Sequence, residues 1–155
     1  GAVSRARTRG AIVSFDTNLR PRLWGSAEAM REGLTMGART ADIVLPSFDE
    51  EKQVFGDASP EATVERYRDL GADLVAVKQG GGALKLWQRE AGMHEVPAVK
   101  VENVVDTTAA GDSFAAGLLT GLAQGKSPQD AAAEAMQLAA KVIQARGALV
   151  PGIFA

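Results

Sequence analysis

Three short apolar runs, each separated from the next by helix signals, constrain this chain most. They are Ala11-Ile12-Val13-Ser14-Phe15, Asp42-Ile43-Val44-Leu45 and Asp73-Leu74-Val75-Ala76-Val77-Lys78. Each is strand-length and bounded by polar or turn residues. The first reads as a strand buried on both faces and ending at Asp16. Between the first two runs, residues Ser26 to Arg39 make a helix, with Ser26 as N-cap and Ala29, Met30, Leu34 and Ala38 along its apolar side. After the second run, Pro46 to Glu51 begins a short helix with Ser47 and Glu50 in capping-box spacing. Ser59-Pro60-Glu61 starts another, with proline at the first helical position, which ends at Leu70-Gly71. Strands joined through helices pair in parallel by right-handed crossovers. Gln79-Gly80-Gly81-Gly82 then makes a tight turn. Ala83–Gln88 and a segment near Met93–Val96 are further strands, an antiparallel or edge addition. The expected fold is α/β, with a mostly parallel open sheet and an antiparallel edge.

Bulk properties exclude several functions. The length, 155 residues, suits one domain, and a hydrophobic content of 46% supports a core. A formal net charge of −2 gives no general attraction to nucleic acid or membrane. Absence of cysteine removes disulfides and thiolate metal sites and fits a cytoplasmic location. The single histidine, His94, argues against a histidine metal site or a Ser-His triad and is expected on a partly exposed strand. No apolar run reaches membrane-spanning length. Gly1-Ala2-Val3 is not an initiator, and Ser4 to Arg9 resembles the tail of a helix, so the chain is expected to be a fragment of a longer one.

The stretch with the most chemistry in it is Asp106-Thr107-Thr108-Ala109-Ala110-Gly111-Asp112-Ser113-Phe114. Val99 to Val105, before it, reads as strands; Phe114 to Leu122, after it, reads as a buried helix. Small residues at a helix start leave the backbone N–H groups bare, and those groups with the partial positive charge of the terminus bind phosphate. An acid in that turn can take a proton from an attacking hydroxyl. This is the layout of a phosphoryl-transfer site. Asp106 taken alone is equally well explained as an N-cap. Likewise the capping box explains Ser47 and Glu50 without any role in binding.

Other features point elsewhere. Gly121-Leu122-Ala123-Gln124-Gly125-Lys126-Ser127 looks like a phosphate-binding P-loop. It has three residues between its glycines where four are needed, and it follows a helix rather than a strand, so it is a helix–helix turn before a helix from Pro128 to Ala145. The glycines at 80–82 lead into a strand, whereas a dinucleotide fingerprint opens a helix. Arg5, Arg7 and Arg9 read as solvated surface. Arg20 and Arg22 lie in the polar loop after the first strand, at the kind of strand end where open α/β sheets bind ligands.

The central stretch resembles the second signature of the ribokinase-like (PfkB-type) carbohydrate kinases, Asp-Thr-(Thr or Ala)-Gly-Ala-Gly-Asp, with Ala109 in place of a glycine. With Phe15-Asp16-Thr17-Asn18-Leu19-Arg20-Pro21-Arg22-Leu23-Trp24 and the tail Ala145-Arg146-Gly147-Ala148-Leu149-Val150-Pro151, it is most similar to the 2-keto-3-deoxygluconate kinase branch. The resemblance covers essentially the whole chain and corresponds to the C-terminal, nucleotide-binding part of a single domain. It implies a three-layer α/β/α sandwich whose N-terminal half and β-lid are missing. It implies ATP and Mg2+ as cofactors, with K+ as a further candidate, and a sugar or sugar acid as substrate. A fructose, ribose or nucleoside kinase and an inactive nucleotide-binding module stand as alternatives. By position, Asp112 would be the general base, with the amides of Ala109, Ala110, Gly111 and Asp112 as the anion hole. Asn18 and Arg20 would face the ATP phosphates, Arg20 also the sugar acid. Ser47 stands where relatives have the Asn of Asn-x-x-Glu, and Glu50 keeps the Glu, for metal-bound water. Lys78, Gly80, Gly82 and Ala83 would border the nucleotide. Asp106 and Thr108 would be a monovalent-cation site. Homo-oligomers would form through the missing part.

Overall fold

The computed structural model describes residues 1–153. They form two compact units, residues 1–80 with 84–95, and residues 81–83 with those from 96 onward.

The first unit is an α/β structure built on a five-stranded mixed sheet in the order β1-β2-β3-β4-β5. The strands are β1 (Ser14–Asp16), β2 (Ile43–Leu45), β3 (Leu74–Val77), β4 (Leu84–Gln88) and β5 (Gly92–Val96). β1, β2 and β3 are parallel, with Phe15 opposite Val44 and Val44 opposite Val75. β4 runs antiparallel to β3, with Val75 opposite Trp87. The helices are α1 (Ala2–Arg7), α2 (Ala27–Ala38), α3 (Phe48–Phe55) and α4 (Pro60–Asp69). The α2 and α4 starts follow the sequence: the Ser26 hydroxyl accepts the Ala29 N–H at 3.1 Å and the Ser59 hydroxyl accepts the Ala62 N–H at 3.2 Å. Each such cap stabilises by about 1 kcal/mol. Val44, Val75 and Val77 are fully buried among Ala38, Val64 and Tyr67, each worth about 1.5–3 kcal/mol. A second cluster joins Leu19 to Met30 and Leu34 of α2 and Val54 of α3.

The expectations for this unit need three corrections. The first strand begins at Ser14, and it is not buried on both faces: Ser14 is exposed, Phe15 and Asp16 are half-buried, and Ile12 just before it is 76% exposed. Ala29 is exposed, so the buried face of α2 is Met30, Leu34 and Ala38. No capping box forms at α3. The Ser47 side chain makes no cap bond, and the Glu50 carboxylate accepts the Leu19 N–H instead. His94 lies half-buried on β5, as expected.

In the second unit, α5 (Ala110–Ala123) and α6 (Pro128–Val142) form a helical hairpin turned at Gly125, whose φ is +79°. The helices approach so closely that a Cβ on Gly121 would lie 2.7 Å from that of Ala131. The Ser127 hydroxyl accepts the Asp130 N–H and caps α6. Only Phe114, Leu118 and Gly121 of α5 are buried, so it is one-sided rather than wholly buried. Val99 to Val105 contains no strand. The Val105 and Asp106 N–H groups donate instead to the carbonyl of Ile143, at 2.8 and 3.1 Å. That residue is the C-cap of α6, which stops at Val142 rather than Ala145.

Candidate active site

In the first unit, the carboxyl ends of the three parallel strands bring candidate residues together. Asp16 ends β1, Ser47 follows β2, and Lys78 follows β3. Ser47 and Lys78 pair in a parallel bridge. The Phe48 N–H donates to the Lys78 carbonyl and the Lys78 N–H to that of Pro46, both at 2.9 Å. The Lys78 ammonium reaches back to Asp16 Oδ2 at 3.0 Å. Asp16 was not among the expected site residues; its place at the carboxyl end of a parallel strand is the signal that could have singled it out.

The loop after β1 is fixed at several points. Asp16 Oδ1 accepts the Asn18 N–H at 3.1 Å, and Asn18 takes a φ of +36°, the one non-glycine residue with positive φ among those described. A short polar side chain tolerates that region best. Leu19 is buried and its N–H points to Glu50 Oε2 at 3.4 Å. Arg20 is exposed, with one guanidinium nitrogen 2.8 Å from the Leu19 carbonyl and no ion pair among the described residues. At the far end of the loop the Trp24 ring lies against Gly33 of α2, where any Cβ would collide with it. Asn18 and Arg20 are therefore presented to solvent by a loop whose backbone is held.

In the second unit, α5 starts without a side-chain cap at Ala109. The Ala110 N–H is already used, donating to the Thr107 carbonyl at 3.1 Å, so it drops out of the expected anion hole. No hydrogen bond among the described residues engages the N–H of Ala109, Gly111 or Asp112. Ala109 has a φ of −108°, a conformation any residue adopts, so its replacement of glycine introduces no strain. Asp112 is in the first turn, exposed, with its carboxylate in no hydrogen bond or ion pair among the described residues. Gly82 and Ala83 belong to this unit, whereas Gly80, with φ +58°, belongs to the first.

Asp106 has a structural role. Oδ1 accepts both the Thr108 N–H and its hydroxyl, and Oδ2 accepts the Gly147 N–H at 2.9 Å. The Thr108 hydroxyl first, then the two amides, pull the Asp106 pKa from 3.8 to about 2. Three proton donors thus engage the Asp106 carboxylate, which ties the Thr108 turn to Gly147.

No group of three or more His, Asp or Glu able to hold a metal lies among the described residues. Mg2+ bound with phosphates needs only one or two carboxylates and keeps several waters. Glu50, which uses one oxygen in a long bond to Leu19, fits that demand.

The sequence also gave no sign of a buried ionic cluster beside this loop. Glu51 is fully buried, and its Oε2 accepts from Arg66 at 2.7 Å and from the Tyr67 hydroxyl at 2.9 Å. Burial raises its pKa more than Arg66 and Tyr67 lower it.

The first unit thus gathers polar residues at its parallel strand ends, and the second carries an uncapped helix start, the kind of feature that binds phosphate, with a free acid in its first turn. Residues 2–152 match the pfkB family carbohydrate kinases, and the chain belongs to that family. It is 40% identical over 147 residues to the 2-dehydro-3-deoxygluconokinase of Dickeya dadantii, covering 94% of this chain and 47% of that one. The crystal structure of aminoimidazole riboside kinase from Salmonella enterica, complexed with aminoimidazole riboside and an ATP analog, superposes with a TM-score of 0.84 at 34% identity, over 95% of this chain and 50% of that one. A putative ribokinase II from E. coli in complex with ATP and Mg2+ gives a TM-score of 0.82 at 27% identity, over 95% and 47%. The fold is ribokinase-like, and the chain spans about half the length of these relatives. No helix of the described residues is long and apolar enough to cross a membrane.

Proposed function

We propose that these residues are the nucleotide-binding part of a ribokinase-like kinase that transfers phosphate from ATP to a sugar or sugar acid. The first candidate is 2-keto-3-deoxygluconate, phosphorylated at its 6-hydroxyl. The observation that carries this reading is the head of α5, where an uncapped run of amides adjoins the free carboxylate of Asp112.

Charge gathers on the phosphoryl oxygens in the transition state, so fixed N–H dipoles stabilise it more than the ground state. In this reading the amides of Ala109, Gly111 and Asp112 supply those dipoles. Asp112 accepts the hydroxyl proton, late in transfer, where a weak base suffices. Asn18 and Arg20 bind the phosphates, and Arg20 suits an acidic sugar. Ser47, Lys78, Gly80, Gly82 and Ala83 border the nucleotide. Glu50 would hold a hydrated Mg2+, which when bound neutralises phosphate charge. Identity to 2-dehydro-3-deoxygluconokinase supports the sugar acid. The likeness to aminoimidazole riboside kinase supports a riboside as the second reading.

The test is ATP-dependent phosphorylation of 2-keto-3-deoxygluconate, fructose, ribose and aminoimidazole riboside by the full-length gene product. Turnover should be fastest on the keto sugar acid. Asp112→Asn should lower it by roughly 100- to 10,000-fold while ATP affinity stays within a few-fold. Normal turnover in that variant would remove Asp112 as the base.

A further inference from the structure

The cluster around Glu51 spans the length of α3. Near the head of that helix, Glu51 binds Arg66 and Tyr67 of α4. Beyond its C-terminus, Asp57 takes Arg66 in a two-point grip, Nε to Oδ1 at 3.1 Å and Nη2 to Oδ2 at 2.6 Å, and also accepts the Thr63 hydroxyl at 2.8 Å. The Arg66 guanidinium lies 3.8 Å from the centre of the Phe55 ring, the last residue of α3. Three residues in or just after α3, namely Glu51, Phe55 and Asp57, are thus tied to one arginine of α4.

This arrangement is costly. Burying an ion pair removes two charges from water, and an apolar replacement is often as stable. Here the cost is incompletely offset: Glu51 Oε1 and Arg66 Nη1 are both buried without a hydrogen-bond partner. What the cluster adjoins is the loop after β1. In that loop the Thr17 hydroxyl is buried and, like Glu51 Oε1, has no hydrogen-bond partner. Glu50, the preceding residue, takes the Leu19 N–H. Val54, one turn on, packs with the Leu19 side chain. Each residue of α3 that touches the loop is therefore next to, or one turn from, a residue held by α4.

We infer that the Glu51–Arg66 cluster is a positioning device: it fixes α3 so that Glu50 and Val54 seat Leu19, and Leu19 in turn sets where Asn18 and Arg20 stand. Its bearing on nucleotide rests on the kinase reading above; its bearing on loop order does not.

Hydrogen exchange at the Leu19 and Asn18 amides tests this, in Glu51→Gln, in Tyr67→Phe, which removes a single donor, and in Val75→Ala, a core truncation in β3 that removes none of the cluster's hydrogen bonds. Local opening is read by exchange below the melting temperature. Leu19 should exchange about tenfold faster in Glu51→Gln and a few-fold faster in Tyr67→Phe, each beyond any change in Val75→Ala. ATP dissociation constants should rise in the same order. If Leu19 exchange in the two cluster variants equals wild type, or follows global stability as Val75→Ala does, the inference is overturned. If Glu51→Gln does not fold, Tyr67→Phe decides. Failure of the wild-type protein to bind ATP would count against the kinase reading alone, because the exchange result stands without nucleotide.

Discussion

Asp16 and Lys78 are joined across the width of β2, from the last residue of β1 to the residue after β3, with Nζ to Oδ2 at 3.0 Å. Asp16 also holds the Asn18 amide with its other oxygen. The two halves of that carboxylate can be separated. Asp16→Asn keeps an acceptor for Asn18 but loses the ion pair, and should cost about 1 kcal/mol. Asp16→Ala loses both and should cost about 2 kcal/mol. Urea denaturation of the two variants measures the difference, and equal losses would show that the Asn18 contact contributes nothing.

Asn18 sits at a φ of +36°. A side chain with a Cβ and no local hydrogen-bonding group pays about 1–2 kcal/mol there. Asn18→Ala should therefore destabilise by about 1 kcal/mol, while Asn18→Gly should be neutral within a few tenths. In the kinase reading both lose the same contact to phosphate, so ATP affinity should fall alike in the two although only one loses stability. Chemical denaturation and ATP titration together check the pair.

Local signals carried most of the fold. The caps at Ser26, Ser59 and Ser127 and the prolines at 60 and 128 were legible because a cap depends on residues within one turn. The small-residue run before α5 was legible for the same reason. The parallel pairing of the first three strands and the antiparallel addition were legible too, from the helices between the strands and the glycine turn, but long-range contacts of single groups were not. Val99 to Val105 has the apolar character of a strand, but its last amide finds the Ile143 carbonyl, and that contact coincides with the end of α6. Ser47 and Glu50 have capping-box spacing, yet the Glu50 carboxylate goes to Leu19, 31 residues away in sequence. Glu51 and Arg66 carry no pattern that links them, since each is an ordinary charged residue on its own helix. Asn18, Arg20, Glu50 and Asp112 are candidates that the residue pattern and the family resemblance single out, whereas the engagement of the Ala110 amide and of the Asp106 carboxylate needed coordinates.

Ala109 replaces a glycine of the family signature at a φ of −108°. Restoring glycine relieves nothing, because no positive φ is required, and it enlarges the freedom of the unfolded chain. Ala109→Gly should lower stability by about 0.4–1 kcal/mol. The amide stays in place, so in the kinase reading KM for ATP should hardly move. A stabilising effect in thermal denaturation would contradict this account.

Gly121 faces Ala131 where α5 and α6 touch, with room for no more than hydrogen: an added Cβ would meet the Ala131 Cβ at 2.7 Å and its Cα at 3.1 Å. Backbone must shift to accept even one methyl. Gly121→Ala gains helix propensity of about 1 kcal/mol, but overpacking costs about 1–3 kcal/mol. The net should be a loss, larger for Gly121→Val. Denaturant midpoints of the two variants test the order, and a more stable Gly121→Ala would mean that the hairpin opens easily.

The Asp106 carboxylate links the loop before α5 to Gly147, after α6, and it titrates well below its ordinary range, at about 2 against 3.8. A depressed carboxylate stabilises the fold fully above its unfolded pKa, and that contribution disappears as pH falls through the folded value. The window is therefore from about pH 4 down to about pH 2, set by 3.8 and about 2. Across it the Thr108 and Gly147 amides should lose protection from exchange as the carboxylate gains its proton. Asp106→Asn keeps the side chain's size but cannot titrate, and it offers only one oxygen to three donors. In that variant the acid-dependent step at Thr108 should vanish, and protection at neutral pH should already be low. A step of unchanged size in Asp106→Asn would assign the acid sensitivity to another group and leave Asp106 without its linking role.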